Sequence, residues 1–395
     1  MDEHYHVIIS GAGPAGCAAA ARLSAAGKRV LLADKARFPR DKVCGDGLSG
    51  AALEQLAGLG LLESVMAQNP HPSPRVVVRA PNGRVLDSPT PPTSPEIPHG
   101  CVLPRRKLDN ALFESVSAMD GVTTAQGFAV DDLVLWNSRV HGIRGTIDGK
   151  EVFVRCDYFI AADGAHSHAA KKLGLYASRR NHLCMGIRAY MEGIEGLDRG
   201  IEILYENKVL PGYGWVFPTG PDSANVGCGI HLKLAAGMNL KELFDTFVQQ
   251  DPRLRNAVLK KSTLRAWPIP LGSAPGRRAS KNALVVGDAA SFVDPLTGEG
   301  IYYALKSGRM AAEAICRTVA AGDPPAASSR RYEAAWRKAF RLREFVPASI
   351  LQALVSKPFW VNLVVDKAAK RRKTRDLLVG AISHQIPKAR LFIFR

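Results

Sequence analysis

The stretch His6-Val7-Ile8-Ile9-Ser10-Gly11-Ala12-Gly13-Pro14-Ala15-Gly16 decides the fold of this 395-residue chain. Val7, Ile8 and Ile9 are apolar and β-branched, as a buried strand requires. The three glycines follow as Gly-x-Gly-x-x-Gly, and Cys17 to Ala26 reads as an alanine-rich helix closed by Gly27. Arg29-Val30-Leu31-Leu32-Ala33-Asp34 is then a second buried strand ending in an acid, 18 residues past Gly16. A lone glycine triplet says little, but strand, glycine turn, helix, strand and acid in this order form a dinucleotide-binding unit. Gly11 allows the tight turn, Gly13 lets the backbone approach a pyrophosphate, and Gly16 permits close packing of helix on strand. Pro14 suits the first helical turn, where a missing N–H costs nothing. With Ala15 it opens the helix whose free N–H groups face the phosphates. Asp34 is expected to accept hydrogen bonds from an adenosine ribose, and Lys35 beside it joins the same cofactor-binding set. FAD and NAD both fit at this point.

Two later segments extend the cofactor site. Tyr158-Phe159-Ile160-Ala161-Ala162-Asp163-Gly164 is a buried strand that delivers Asp163 to its C-terminal end. Ala283-Leu284-Val285-Val286-Gly287-Asp288 is another, and it leads through Asp294-Pro295-Leu296-Thr297-Gly298-Glu299-Gly300 into a helical stretch from Ile301 to Ala321. Carboxylates at strand ends suit the hydroxyls of a long extended cofactor. Gly298 and Gly300 allow close backbone approach at a helix start, where the N–H groups near Ile301 can face a flavin pyrimidine edge.

With these three hallmarks in order, the chain resembles the glutathione-reductase-2 flavoproteins, the class of p-hydroxybenzoate hydroxylase, squalene epoxidase, flavin halogenases and geranylgeranyl reductases. The resemblance covers roughly residues 5–325 and selects FAD. It implies a flavin contact for Arg105, which stands before Leu108-Asp109 as in the class. One departure is visible: Ala170 occupies the place of an arginine after Asp163-Gly164, with Lys171 and Lys172 beside it.

Two local patterns are similar to the geranylgeranyl reductases. Lys42-Val43-Cys44-Gly45-Asp46-Gly47-Leu48 matches their Lys-x-Cys-Gly-Gly-Gly-Leu, with Asp46 replacing a glycine. Pro211-Gly212-Tyr213-Gly214-Trp215-Val216-Phe217-Pro218 matches their Tyr-x-Trp-x-Phe-Pro-Lys, with Thr219 in place of the lysine. The resemblance implies reduction of isoprenoid C=C bonds by hydride from reduced flavin, with NAD(P)H or ferredoxin as electron donor and a long apolar substrate. The alternative is an FAD monooxygenase or halogenase acting on an aromatic or carrier-bound substrate. Cys44 is the candidate proton source, although a small residue in a tight turn would look the same. Tyr213 and Trp215 complete the candidate catalytic set. On a strand Tyr213, Trp215 and Phe217 point to one face, either as a substrate wall or as the core side of the sheet.

Composition sets the outer limits. With 46% hydrophobic and 23% charged residues the chain is neither disordered nor a disulfide scaffold. No apolar run approaches the ~20 residues of a membrane span, and Met1-Asp2-Glu3-His4 does not resemble a secretory signal. Seven cysteines without a CxxC or His/Cys ligand spacing predict no metal site and a reducing cytoplasm. The net charge of +17 is concentrated: residues 330–395 hold sixteen Lys and Arg against four acids, interleaved with seven Phe and Trp. Such a segment fits an anionic membrane surface, with the protein peripheral to it, or a solvated helical face. No nucleic-acid-binding motif accompanies it, so nucleic acid is not expected.

The expected fold is α/β. A discontinuous Rossmann-type FAD-binding domain of the p-hydroxybenzoate-hydroxylase kind takes residues 1–70, 100–175 and 270–330. Residues 71–99 and 176–269 form a substrate domain built on an antiparallel β-sheet. Nine prolines between Pro70 and Pro98 exclude a long helix there. A basic helical C-terminal region, 331–395, completes the chain, with breaks expected at Pro347 and Pro358.

Overall fold

The apolar runs around Val7, Leu31 and Ile160 occupy the middle of a parallel sheet, where no face is left for water. Its parallel strands lie in the order Ala283–Val285, Lys150–Ala161, His4–Ser10, Val30–Asp34, Val122–Gln126. An antiparallel meander, Ala129–Trp136 and Arg139–Ile147, joins it through Lys150–Ala161. In this computed structural model the described residues are 3–177, 180–197, 200–207, 210, 212–233 and 237–392. Pro211 of the aromatic motif, and Phe394 and Arg395 of the basic segment, lie outside them.

The glycine turn feeds the helix Pro14–Ser24, which packs on the long helix Ile301–Ala320. Gly308 makes that packing close: a Cβ there would sit 2.1 Å from the Ala15 carbonyl oxygen. The first and third cofactor segments are thus locked together, and their loops open at the same end of the sheet.

A second, eight-stranded sheet is mostly antiparallel, with Leu183–Glu192, Ser223–His231 and Gly212–Pro218 adjacent in it. Arg75–Arg79 and Val85–Pro89 extend it to one edge, and Arg75–Arg79 pairs in parallel with Ile201–Leu204. Alternation divides the strand Gly212–Pro218 between two environments. Gly214 and Val216 face the helix Leu240–Gln250, where a Cβ on Gly214 would meet the Phe247 ring at 2.2 Å. Tyr213, Trp215 and Phe217 point the other way. One piece of the expected division moves: His71–Ser73 does not enter this sheet. It pairs with Gly100–Val102, which also holds Gly47–Leu48, in a small three-stranded sheet.

The C-terminal region is helical, but its breaks differ from expectation. Pro347 interrupts nothing. A wide-turned π-helical segment, Arg337–Phe345, comes just before it and carries the chain smoothly from Ala327–Trp336 into Val346–Val355. Pro358 does turn the chain, by 109°, into Pro358–Lys370. That helix docks Val361, Val365 and Ala368 on Val76, Val78 and Leu86 of the second sheet. This segment is therefore part of the packed body.

Candidate functional site

Loops from both sheets converge on one cavity of about 660 Å³, lined by every sequence-predicted site residue except Gly16. Gly16 serves the packing instead, because a Cβ there would lie 1.9 Å from the Gly11 carbonyl oxygen. Gly11 itself has φ of 105° and turns against Ala162, where a Cβ would come within 2.3 Å of a carbonyl oxygen. The helix after Gly13 has no side-chain cap, so its first N–H groups are left for a ligand. Pro14, Ala15, Asp34 and Lys35 line the same end. Asp34 accepts from the backbone N–H groups of Ala12 and Ala36, each at 2.8 Å, with Arg40 Nη2 3.9 Å from its Oδ2, and accepts no other hydrogen bond among the described residues.

Asp163 lines the cavity but is partly engaged. It accepts from Ser167 Oγ at 2.5 Å and from the Ala169 N–H at 3.1 Å, fixing the short helix His168–Lys172. His166 and His168 are exposed and stand on the rim of the same cavity. Arg105 is buried, and Asp109 holds its Nε and Nη2 at 2.6 and 2.7 Å. Its Nη1 has no hydrogen-bond partner among the described residues and remains for a ligand. Burial works against that guanidinium's charge, but Asp109 more than compensates and holds it firmly protonated.

Asp288 follows the strand Ala283–Val285 in a short 3₁₀ turn, and Lys42 reaches it at 2.8 Å. Gly298, Gly300 and Ile301 form the wall beyond, where the long helix starts with Glu299 Oε1 accepting from the Tyr302 N–H at 3.0 Å. Tyr213 ties this glycine loop to the second sheet by donating to the Thr297 carbonyl at 2.6 Å. Burial raises the Glu299 carboxyl to about 7, helped by Asp294 nearby.

The Cys44 turn is held from below by residues that sequence reading did not single out. Asn225 donates through Nδ2 to the Cys44 carbonyl and to Asp46 Oδ2, both at 2.7 Å, while its Oδ1 accepts from Trp215 Nε1 at 3.0 Å. Tyr190 donates to Asp46 Oδ2 at 2.6 Å, and the Arg105 N–H to Oδ1 at 3.1 Å. Asp46 thus stands in a glycine position, with φ of 67°, as the hub of a buried network. Burial pushes its carboxyl up to about 6 against the pull of those donors. Burial likewise raises the Cys44 thiol, so it stays protonated at neutral pH.

Tyr213, Trp215 and Phe217 form the cavity's aromatic wall, with successive ring centroids 6.3 and 6.4 Å apart. Gly227 gives the indole its space, since a Cβ there would lie 2.2 Å from the ring. Tyr213 and Trp215, the other two members of the candidate catalytic set, both have their polar groups engaged, by the Thr297 carbonyl and by Asn225, and act as wall and loop anchor. Phe217 packs over the Cys44 turn, 3.0 Å from where a Gly45 Cβ would be.

The C-terminal region also enters the site, which no local signal announced. Ile382, Ser383 and Gln385 line the cavity, and Lys388 makes a fully buried ion pair with Asp294 at 2.9 Å. Burial raises the Asp294 carboxyl, but Lys388 and His384 outweigh it and hold it below its ordinary value.

This set fits FAD: uncapped N–H groups of the first helix for a pyrophosphate, Asp34 for a ribose, and the Arg105 Nη1 donor and the glycine-loop helix start on the same cavity. Comparison with known proteins agrees. The family described as an FAD binding domain matches residues 4–194, and the geranylgeranyl reductase catalytic domain matches residues 183–263. The menaquinone reductase of Mycolicibacterium smegmatis is 34% identical over 325 residues, covering 79% of this chain and 76% of that protein. The digeranylgeranylglycerophospholipid reductase of Methanoculleus marisnigri is 30% identical over 347 residues, covering 85% and 83%. The chain belongs to the geranylgeranyl reductase family. It is an FAD-dependent oxidoreductase of that type, and its fold is that of the p-hydroxybenzoate-hydroxylase-like flavoproteins. A geranylgeranyl bacteriochlorophyll reductase-like structure from Thermoplasma acidophilum superposes with a TM-score of 0.84 at 23% identity, covering 97% of both chains. A flavin-dependent brominase shares the fold at a TM-score of 0.77 and 22% identity, covering 99% and 97%. Within the geranylgeranyl reductase family this member carries Asp46 where the motif has glycine, and Thr219 where it has lysine.

Proposed function

We propose that this reductase saturates a C=C bond in the polyprenyl chain of an isoprenoid quinone. The carrying observation is the aromatic wall: three rings on alternate positions of one strand face the cavity, and the opposite face of that strand is sealed by Phe247. Such a flat apolar surface excludes water and aligns a chain that offers no polar group to grip. The quinone is favoured over a lipid head group because the menaquinone reductases are the more similar relatives, at 33–34% identity against 28–30%. When bound, FAD supplies the hydride. The chain's own contribution is to hold the olefin against the wall and to place a proton source, the Cys44 thiol, on the turn that Asp46 and Asn225 fix. NAD(P)H or a ferredoxin serves as the electron donor, and the protein acts in the cytoplasm.

Anaerobic incubation of the chemically reduced holoenzyme with prenyl quinones and prenyl alcohols tests this by mass spectrometry. The expected product carries two extra hydrogens in the prenyl chain of the quinone. In a parallel incubation under labelled dioxygen, label appearing in product would instead reveal the monooxygenase chemistry.

A further inference from the structure

Among the described residues sixteen large apolar side chains are exposed, and eight of them lie between Leu342 and Phe392. They are not scattered. Leu342, Val346, Ile350 and Leu354 recur every fourth residue, which keeps them along one stripe of a continuous helix. Phe359 and Trp360 continue the apolar surface past the bend at Pro358. Leu342 is 72% exposed and Phe359 65%, although Phe340, Phe345, Val361 and Val365 on the inner faces are buried.

The charges around the stripe have one sign. Lys338, Arg341, Arg343 and Lys357 are exposed and form no ion pair among the described residues. The acids of the same region are engaged elsewhere: Glu344 lies 3.7 Å from Lys388, Asp366 pairs with Arg84 at 2.9 Å, and Asp376 lies 3.7 Å from Arg372. An apolar stripe flanked by uncompensated cations complements an anionic lipid surface, which offers acyl chains and phosphates together. Among the described residues no single helix is long and apolar enough to cross a membrane, and the inner faces of these helices are taken by the protein core. Ala327–Val355 and Pro358–Lys370 are together long and apolar enough, but with a 109° bend between them and their inner faces packed they suit lying on a bilayer better than spanning it.

We propose that this face, Leu342 to Trp360 with its flanking Lys and Arg, docks the protein on an anionic bilayer. The same helix sends Gln352 and Val355 into a small cavity beside Tyr213 and Trp215. A prenyl chain dissolved in the bilayer would therefore meet the helix that borders the aromatic wall. Only this last point rests on the substrate reading; the docking itself does not.

The test is co-flotation of the full-length holoprotein with vesicles, with no substrate and no turnover. Vesicles of phosphatidylcholine containing phosphatidylglycerol are expected to bind it at least about tenfold more tightly than phosphatidylcholine alone, and salt should weaken that binding. Two independent variant sets should each cut the binding about tenfold while bound FAD stays constant: Leu342→Ser with Phe359→Ser, and Arg341→Gln with Arg343→Gln and Lys357→Gln. If one set fails to fold, the other decides. Wild-type protein that ignores anionic vesicles, or variants that bind as well as wild type, would overturn the proposal. So would a dimer in solution that Leu342→Ser converts to monomer. Vesicle binding without isoprenoid reduction would count against the substrate reading alone.

Discussion

A thiol kept protonated by its surroundings can still give its proton to one carbon of a double bond while positive charge develops on the other carbon, the one that would receive the hydride. Cys44 has that character, because burial raises it and Asn225 anchors its backbone. Cys44→Ala is expected to lower kcat by about a hundredfold or more, the scale of general-acid catalysis. FAD binding should be unaffected; a wild-type kcat removes the residue from the mechanism. Glu299 offers a pH-dependent signature. Its folded-state carboxyl, near 7, lies above the ordinary 4.5, so its contribution to stability is complete below pH 4.5 and is lost as pH rises through 7. Glu299→Gln in the FAD-free protein should therefore gain melting temperature relative to wild type between pH 5 and pH 7.5. The expected shift is on the order of 2 kcal/mol, and an unchanged difference across that window refutes it. Cys44 was legible as a candidate because its motif is local. Tyr190 and Asn225 were not, since each is one polar residue in an alternating strand, and only strand pairing brings them beneath the turn.

At the scale of elements, the strand Gly212–Pro218 shows what a period of two can and cannot convey. Alternation put Tyr213, Trp215 and Phe217 on one face; whether that face met core or cavity depended on Phe247 arriving from a distant helix. The strand then does two separable jobs. Tyr213→Phe deletes the bond to the Thr297 carbonyl, worth about 1 kcal/mol, and is expected to weaken FAD binding about fivefold in a fluorescence titration. Trp215→Ala opens the wall and should raise KM for a long prenyl substrate while FAD affinity changes little. A KM that stays constant would argue against substrate contact. Proline reading was equally mixed. Pro358 turned the chain as expected, whereas the π segment ahead of Pro347 absorbed a break that the sequence alone implies.

For the molecule as a whole, the C-terminal region contributes Ile382, Ser383 and Gln385 to the wall of the site. Lys388 and Asp294 are both fully buried, and Asp294 also accepts from Leu296, Thr297 and Tyr303 to shape the glycine loop. Removing one partner leaves the other charge stranded away from water, at a cost of about 3–5 kcal/mol. Lys388→Met should accordingly lower the thermal unfolding midpoint and loosen FAD binding. Adding Asp294→Asn should restore part of both, because the amide can still accept from the loop without carrying a charge. Equal behaviour of the single and double variants would assign the effect to lost packing.

Sequence alone determined the cofactor fold and the motif residues that line its cavity, because glycine turns, strand-end acids and helix starts are specified by neighbours within a few dozen positions. The tertiary structure decided which strand face meets the cavity, what supports the Cys44 turn, and that Lys388 reaches Asp294 across 94 residues of chain. Those contacts depend on packing between distant segments, and burial raises the Asp46 and Glu299 carboxyls while the buried partner Lys388 holds the Asp294 carboxyl down.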